Sequence, residues 1–337
     1  MPCRLLIALV LVTTLASLLV PALVLADEEP PPAPADGEQP LGVMDFLLST
    51  KYLSMLGVTA LGLILLLTRR INIWIRIAVM AATFILFGVG WVFSLHPSPM
   101  CATTKLYLFK FTTGRWMPVF IAFALVIFVP SLIGRKLFCG WACPLGAFQE
   151  LINKIPHRFK IKHPSFTAMN AIRLSLIGLF FLTFHAGRTH IAALAGAVEA
   201  DPASRIWQIY SAINIYDPIN MFELMHWEIT TMFWVLISVL VVSSLVLYRP
   251  FCYVICPIGG LTWLLERVAP GRVRVDMSAC NNCGKCVKVA PCPTLKPLLA
   301  GESRNLPDCT SCGECLNICP TDAISFGFAP RKGARNE

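Results

Sequence analysis

Five apolar stretches of nearly membrane-spanning length follow one another within the first 250 positions, at 52–68, 77–95, 116–134, 168–186 and 229–248. At about 1.5 Å of rise per residue, each comes close to the roughly 20 residues that a helix needs to cross a bilayer. In lipid every backbone polar group must be satisfied internally, so such segments must be helices or strands of a closed barrel, and uninterrupted apolar runs select the helix. The chain therefore reads as an α-helical integral membrane protein with five to six transmembrane helices. The sixth would be Leu5 to Ala26, which follows Arg4 and ends in small residues before Asp27, a pattern that suits a cleaved signal peptide or a retained first anchor. Charged residues make up only 14% of the chain, against ~25% in soluble domains.

The net charge of +9 is distributed by side. Six Lys and Arg (Arg135, Lys136, Lys154, Arg158, Lys160, Lys162) face one acid, Glu150, in the segment 135–162, whereas 27–45 holds six acids and no base in a proline-rich run. The first pattern is the positive-inside signature of a cytoplasmic loop, and the second is an outer linker too poor in apolar side chains to fold. With Arg4 inside and sides alternating, Arg69, Arg70, Arg76 and everything after Tyr248 are also cytoplasmic. Lys105, Lys110 and Arg115 run against the rule on the outer side. Arg173, near the start of its span, is expected to snorkel. Trp207, Tyr210, Tyr216 and Trp227 are expected in an interfacial aromatic belt, and the short apolar run 191–198 on or partly in the membrane. Charge that tracks topology gives no nucleic-acid partner. The absence of phosphate loops, hydrolase triads and HExxH motifs removes those chemistries, and the scarcity of acids within the spans argues against an ion pump.

Cysteine divides the chain differently. Eight of fourteen cysteines lie between Cys280 and Cys319. Cys309, Cys312, Cys315 and Cys319–Pro320 form C-x2-C-x2-C-x3-C-P, while Cys280, Cys283 and Cys286 repeat its first three positions and Cys292–Pro293 supplies a fourth after a longer gap. Three thiolates on one tight loop reach three irons of a cubane, and in two-cluster domains the fourth ligand comes from the other motif. One cluster is then expected on Cys280, Cys283, Cys286 and Cys319, the other on Cys309, Cys312, Cys315 and Cys292. Zinc sites pair two C-x2-C units across a wider gap, and a cytoplasmic location disfavours disulfides. Gly284 and Gly313 suit a backbone bending closely round a cluster. Residues 322–324 are expected to form the short strand that closes such a unit.

A second pattern lies at the membrane edge. RKLFCGWACPLGAFQELI and YRPFCYVICPIGGLTWLL align without gaps, matching Phe138 with Phe251, Cys139 with Cys252, Cys143 with Cys256, Pro144 with Pro257 and Gly146 with Gly259. Duplicated membrane units often build their site where the copies meet. The two CxxxCP pairs are expected to converge near the cytoplasmic face and to hold a further cluster, a metal ion or a redox-active dithiol; the residues alone leave that choice open. His96, His185, His190 and His226 fall at outer ends of spans. Facing histidines there suit haem or a quinone carbonyl, although interfacial histidines more often bond lipid or backbone. Cys3 and Cys101 have no partner in the pattern.

Two membrane-edge CxxxCP motifs followed by a twin 4Fe-4S domain resemble the NapH-type membrane ferredoxin proteins of periplasmic nitrate reduction and the C-terminal half of NosR/NirI-type regulators, over about 116–328. The resemblance implies a multi-pass protein of the bacterial inner (cytoplasmic) membrane, with its ferredoxin domain facing the cytoplasm. It also implies electron exchange between the quinone pool and a periplasmic or cytoplasmic redox protein in anaerobic respiration, as an electron carrier or quinol dehydrogenase subunit. Related CcoG-type assembly proteins carry similar motifs, which leaves a maturation or regulatory role, delivering electrons for metalloenzyme assembly or metal reduction, as the alternative. Five segments are expected: a signal peptide or anchor at 1–26, an outer linker at 27–50, a transmembrane domain at 51–268, a ferredoxin domain of α+β type with two [4Fe-4S] clusters at 269–328, and a basic tail at 329–337.

Overall fold

The computed structural model describes residues 42–156, 158–161, 166–196, 202–217, 219–226, 231–292, 295–300 and 308–328. The leader and most of the acidic linker, Cys3, Pro293, Trp227 and the basic tail lie outside them, as do the side chains of His190 and Trp207.

A short helix, α1 (Val43–Leu47), leads into α2 (Thr50–Thr68) and α3 (Ile73–Gly88). Arg69, in the left-handed region at φ 55°, closes α2, and the Asn72 side chain accepts from Ile75 N to open α3. Next come α4 (Thr104–Thr113), α5 (Pro118–Gly134), α6 (Leu137–Trp141) and α7 (Pro144–Asn153), followed by the long α8 (Phe166–Gly196) and α9 (Pro202–Ile213). The second half continues with α10 (Thr231–Val246), α11 (Pro250–Val254) and α12 (Pro257–Leu265). Within α8, Thr167–Ala186 is long and apolar enough to cross a membrane, as is α2, while α3, α5 and the stretch Phe233–Val246 are shorter apolar helices. The run from 191 onward is no separate element, because α8 continues through it to Gly196.

The remaining elements are β1 (Arg272–Val275), α13 (Lys285–Val289), α14 (Leu295–Leu299), α15 (Glu314–Asn317) and β2 (Ile324–Gly327). The two strands pair antiparallel, with Val273 opposite Phe326 and Val275 opposite Ile324. This small unit shares a core with the helices: Val273, Leu316, Ile324 and Phe326 bury together with Leu66, Ile71, Leu137 and Trp141. Gly271 N donates to Ile133 O at 2.9 Å, and the Arg69 guanidinium reaches Asp322 at 3.0 Å and Ile324 O at 2.9 Å. The cysteine-rich unit is therefore docked on the helix ends.

Helix α7 runs back along α3. Its first residue, Pro144, lies against Gly88 at one end of α3, and Glu150 pairs with Arg76 at the other. The first CxxxCP motif accordingly lies between the helices, at the Gly88 end of α3 and away from its Arg76 end. Arg173 and the expected aromatic belt need correction. Arg173 is fully buried and pairs with Asp308 at 2.8 Å, because a carboxylate inside the protein is a better partner than the interface it would have to reach. Tyr210 and Tyr216 are also buried, stacked on Phe184 and tilted on Phe180, while exposed aromatics near helix ends include Trp74, Trp91, Trp116, Phe159 and Trp234.

Candidate metal centres

Cys280 and Cys283 sit on the loop leading into α13, Cys286 lies in its first turn, and Cys319 follows α15. All four line one cavity of about 260 Å³, and Cys283 is exposed to solvent. In the second motif Cys309, Cys312 and Cys315 are buried before and within α15. Cys292 is close enough to act electrostatically on both Cys309 and Cys315. The two loops have matching backbones: Asn282 and Ser311, each just before the second cysteine, are left-handed, and so are Gly284 and Gly313, which start the short helices. Both loops thus curl round a point between their thiols. Burial pushes the Cys309 and Cys312 thiols up to about 12. Such sulfurs carry protons unless a cation displaces them.

Both CxxxCP units fix the second loop. The Trp141 indole N–H donates to Ser311 O at 3.0 Å, Ser311 Oγ to Gly134 O at 2.8 Å, and the Tyr253 hydroxyl to Asp308 O at 2.9 Å. Asp308 takes Arg173 and Lys136, and Glu314 takes Lys154.

The CxxxCP cysteines do converge. Cys139 lies on α6 and Cys252 on α11, while Cys143 and Cys256 are the N-caps of α7 and α12, each with proline at the first helical position. All four line one small enclosed cavity, with Thr310 of the second ferredoxin loop and Phe222 of the opposite end in its wall. Two-fold symmetry governs most of the polar contacts. Gln149, ten residues after Cys139, donates to Cys252 Sγ at 3.4 Å; its counterpart Thr262, ten residues after Cys252, donates its hydroxyl to Ile258 O at 2.7 Å. The Gly146 and Gly259 amides serve Cys143 and Cys256. A Cβ on Gly146 or Gly259 would fall 3.0 Å or 2.3 Å from the carbonyl of Cys139 or Cys252, so only glycine admits this approach. The same carbonyls accept from Arg249 and Arg173.

Around the four sulfurs stand Lys136, Arg173 and Arg249. Glu150 braces the first motif, bonding Arg76 Nε at 2.7 Å, Arg249 Nη2 at 2.6 Å and the Tyr248 hydroxyl at 2.8 Å. Burial opposes its charge, yet the two guanidiniums hold its carboxyl well below the usual carboxylate range. Burial pushes Cys139 up to about 11, which leaves these sulfurs unreactive as free thiols but suits them to metal ligation with cations at hand. Gln149, Thr262 and the buried arginines were not singled out from the sequence; the gapless alignment of the two motifs, read ten residues further, contains the first two.

Among the described residues no group of three or more His, Cys, Asp or Glu side chains could hold a metal ion. A cubane spreads its thiolates over four separate irons. The His96 and His226 rings lie 4.4 Å apart at the end remote from the ferredoxin unit, where Lys51 donates to His96 O and Pro97 O at 3.1 Å. Cys101 is buried there, 3.2 Å from Ser98 Oγ.

Two family models match. One described as a 4Fe-4S binding domain matches twice, at residues 116–162 and 229–275, over the two CxxxCP motifs; one described as a 4Fe-4S dicluster domain matches 272–320. Among curated proteins, the putative electron transport protein YccM of Escherichia coli is 27% identical over 54% of this chain and 50% of its own. The ferredoxin-type protein NapH of E. coli is 27% identical over 48% and 50%, and the regulatory protein NosR of Pseudomonas aeruginosa 26% identical over 61% and 29%. The chain spans about half the length, or less, of these relatives. No solved structure matches. Iron–sulfur domains of both kinds, in this order, together with these relatives, make the chain similar to the NapH- and NosR-type 4Fe-4S ferredoxin-like proteins.

Proposed function

We propose that the chain is a membrane-bound electron-transfer protein that passes electrons between the quinone pool and a redox partner. Five helices (α2, α3, α5, α8 and α10) would cross the membrane, with the ferredoxin unit on the cytoplasmic side. Cys280, Cys283, Cys286 and Cys319 would hold one [4Fe-4S] cluster, and Cys309, Cys312, Cys315 and Cys292 the second. Cys139, Cys143, Cys252 and Cys256 would hold a further iron–sulfur group. Bound clusters supply one-electron carriers whose potentials depend on burial and on hydrogen bonds to sulfur.

The reading rests on one observation: Thr310, between two cysteines of the second ferredoxin motif, forms part of the wall of the four-thiol cavity, and Phe222 from the remote end forms another part. The protein's own work is to keep those sites adjacent. Trp141, Ser311, Tyr253 and Arg173 anchor the loop, and the apolar bundle excludes water. Anaerobic redox titration followed by EPR, in membranes containing quinone, tests this. Added quinol should reduce the clusters; clusters that dithionite reduces but quinol never does would sink the reading. In that case the alternative, electron delivery for metalloenzyme maturation, is the one to pursue.

A further inference from the structure

Among the described cysteines Cys283 alone is exposed, so the thiols of the first ferredoxin motif come closest to solvent there. The second motif is the one bonded to the bundle, through Trp141 and Tyr253. Helix α13 begins two residues beyond Cys283; its Cys286 is buried, while Lys285, Lys288 and Val289 are exposed. Residues three and four apart share one side of a helix, so two ammoniums and an isopropyl group form a single outward face. Helix α14 ends against the cavity of the first motif with Leu299 and Ala300, and its Lys296 is exposed one turn earlier. Residues 277–300 contain these three lysines and no acid.

The acids of the unit are engaged elsewhere. Of the four described within 269–328, Asp308, Glu314 and Asp322 pair with Arg173, Lys154 and Arg69 of the helical bundle, and Asp276 accepts from Ser278 N at 3.0 Å. The unit is thus polarised: most carboxylates are spent on docking it, and ammoniums are left in water beside the exposed thiol. Electron-transfer interfaces are small and short-lived, and opposite charge steers their encounters more than buried area holds them.

We propose that the face made by Lys285, Lys288 and Val289 beside Cys283, with Lys296 at its rim, docks a soluble redox protein that carries acidic residues round its own redox centre. This deepens the electron-transfer reading by naming the partner's surface, and it rests on a first cluster held by Cys280, Cys283, Cys286 and Cys319.

The test uses the iron-loaded full chain in nanodiscs of phosphatidylcholine, reduced with dithionite, freed of the excess and mixed with a flavodoxin as the acidic probe. One electron leaves the cluster and, with a proton from water, converts the oxidised flavin to its neutral semiquinone, which absorbance follows. The rate should fall as salt rises, and Lys285→Glu combined with Lys288→Glu should slow it about tenfold at low salt. Basic cytochrome c, taking one electron at its haem iron, should respond in the opposite sense to both changes. A flavodoxin rate indifferent to salt and to charge reversal overturns the proposal. Lys285→Gln with Lys288→Gln should give a smaller loss, and EPR checks the first cluster in each variant; if both lose it, the lysines serve the fold and the proposal is overturned. A charge effect seen only when phosphatidylglycerol is added to the discs puts the face on lipid headgroups, which overturns it as well. Because dithionite stands in for quinol, failure here is separate from failure of the quinone reading, while Cys283→Ser with unchanged iron and EPR signals would remove the first cluster and the proposal with it.

Discussion

Gly140 marks the closest approach between the CxxxCP units and the ferredoxin loop. A Cβ there would lie 2.1 Å from Thr310 O, a backbone atom fixed by its neighbours and unable to give way. Gly140→Ala should therefore push the 308–312 loop off the bundle, slowing electron equilibration between the four-thiol site and the ferredoxin clusters in rapid-mixing experiments; an unchanged rate would mean the loop moves freely. Glu150 raises a different issue, since two fully buried guanidiniums depend on one carboxylate. Removing one partner of such a network typically costs about 3–5 kcal/mol, because the remaining charges have no water to turn to. Glu150→Gln keeps the size and loses the charge, and should lower the thermal midpoint and the yield of iron-loaded protein by that mechanism. Thermal melting in detergent measures it, and Glu314→Gln, at a partly exposed pair, is the mild control.

The helices explain what the sequence could and could not convey. Apolar runs announced α2, α5 and α10 to within two residues at each end, whereas α3 ends at Gly88, seven residues before its run, and α8 continues ten residues past its own, because apolar composition alone does not mark where a helix stops. The ferredoxin loops were equally legible, since ligand spacing is set by the cluster. The elements between were not: α6, α7, α11 and α12 are too short and too mixed for periodicity to reveal, and their arrangement depends on partners remote in sequence. The duplication also extends beyond the motif. α3 brings Arg76 to Gly140 O, and α8 brings Arg173 to Cys252 O, so each CxxxCP unit is preceded by a helix with a buried arginine on its backbone. From one sequence, Arg173 reads as a residue for the interface, since its acid, Asp308, lies 135 positions away. Gln149 crosses between the units to Cys252, whereas the Thr262 hydroxyl is spent on Ile258 O of its own helix. Gln149→Leu should lower the midpoint of the four-thiol centre, and Thr262→Val should change it less. A variant that moves the ferredoxin midpoints instead would place the crossing bond on the wrong centre.

At the scale of the whole molecule, the positive charge acquires two separate uses. Arg76, Arg135, Lys136, Arg173 and Arg249 are all buried, and most of them pair with Glu150, Asp308 or Glu266, so they say little about sidedness. Among described residues, the exposed bases left to act on topology at the ferredoxin end include Arg70, Arg158 and Arg267. At the other end Lys51 donates to two backbone carbonyls and Lys110 to Gly114 O, so part of the charge that seemed to contradict the positive-inside rule is engaged locally. Helix length is consistent with this division. At about 1.5 Å per residue, α3 and α10 fall short of a roughly 30 Å hydrocarbon core. A bundle whose interior is filled by CxxxCP segments tolerates short walls, because irregular backbone at depth is acceptable where protein surrounds it. Under the proposed topology the exposed tryptophans Trp91 and Trp116 at one end, and Trp74 with Phe159 at the other, would stand at the two interfaces. A reporter active only outside the cytoplasm, inserted beside Trp91, should be active, and the same reporter beside Phe159 inactive. Activity at both positions would break the alternation of the five helices, and activity only at Phe159 would invert it and put the ferredoxin unit on the outer side.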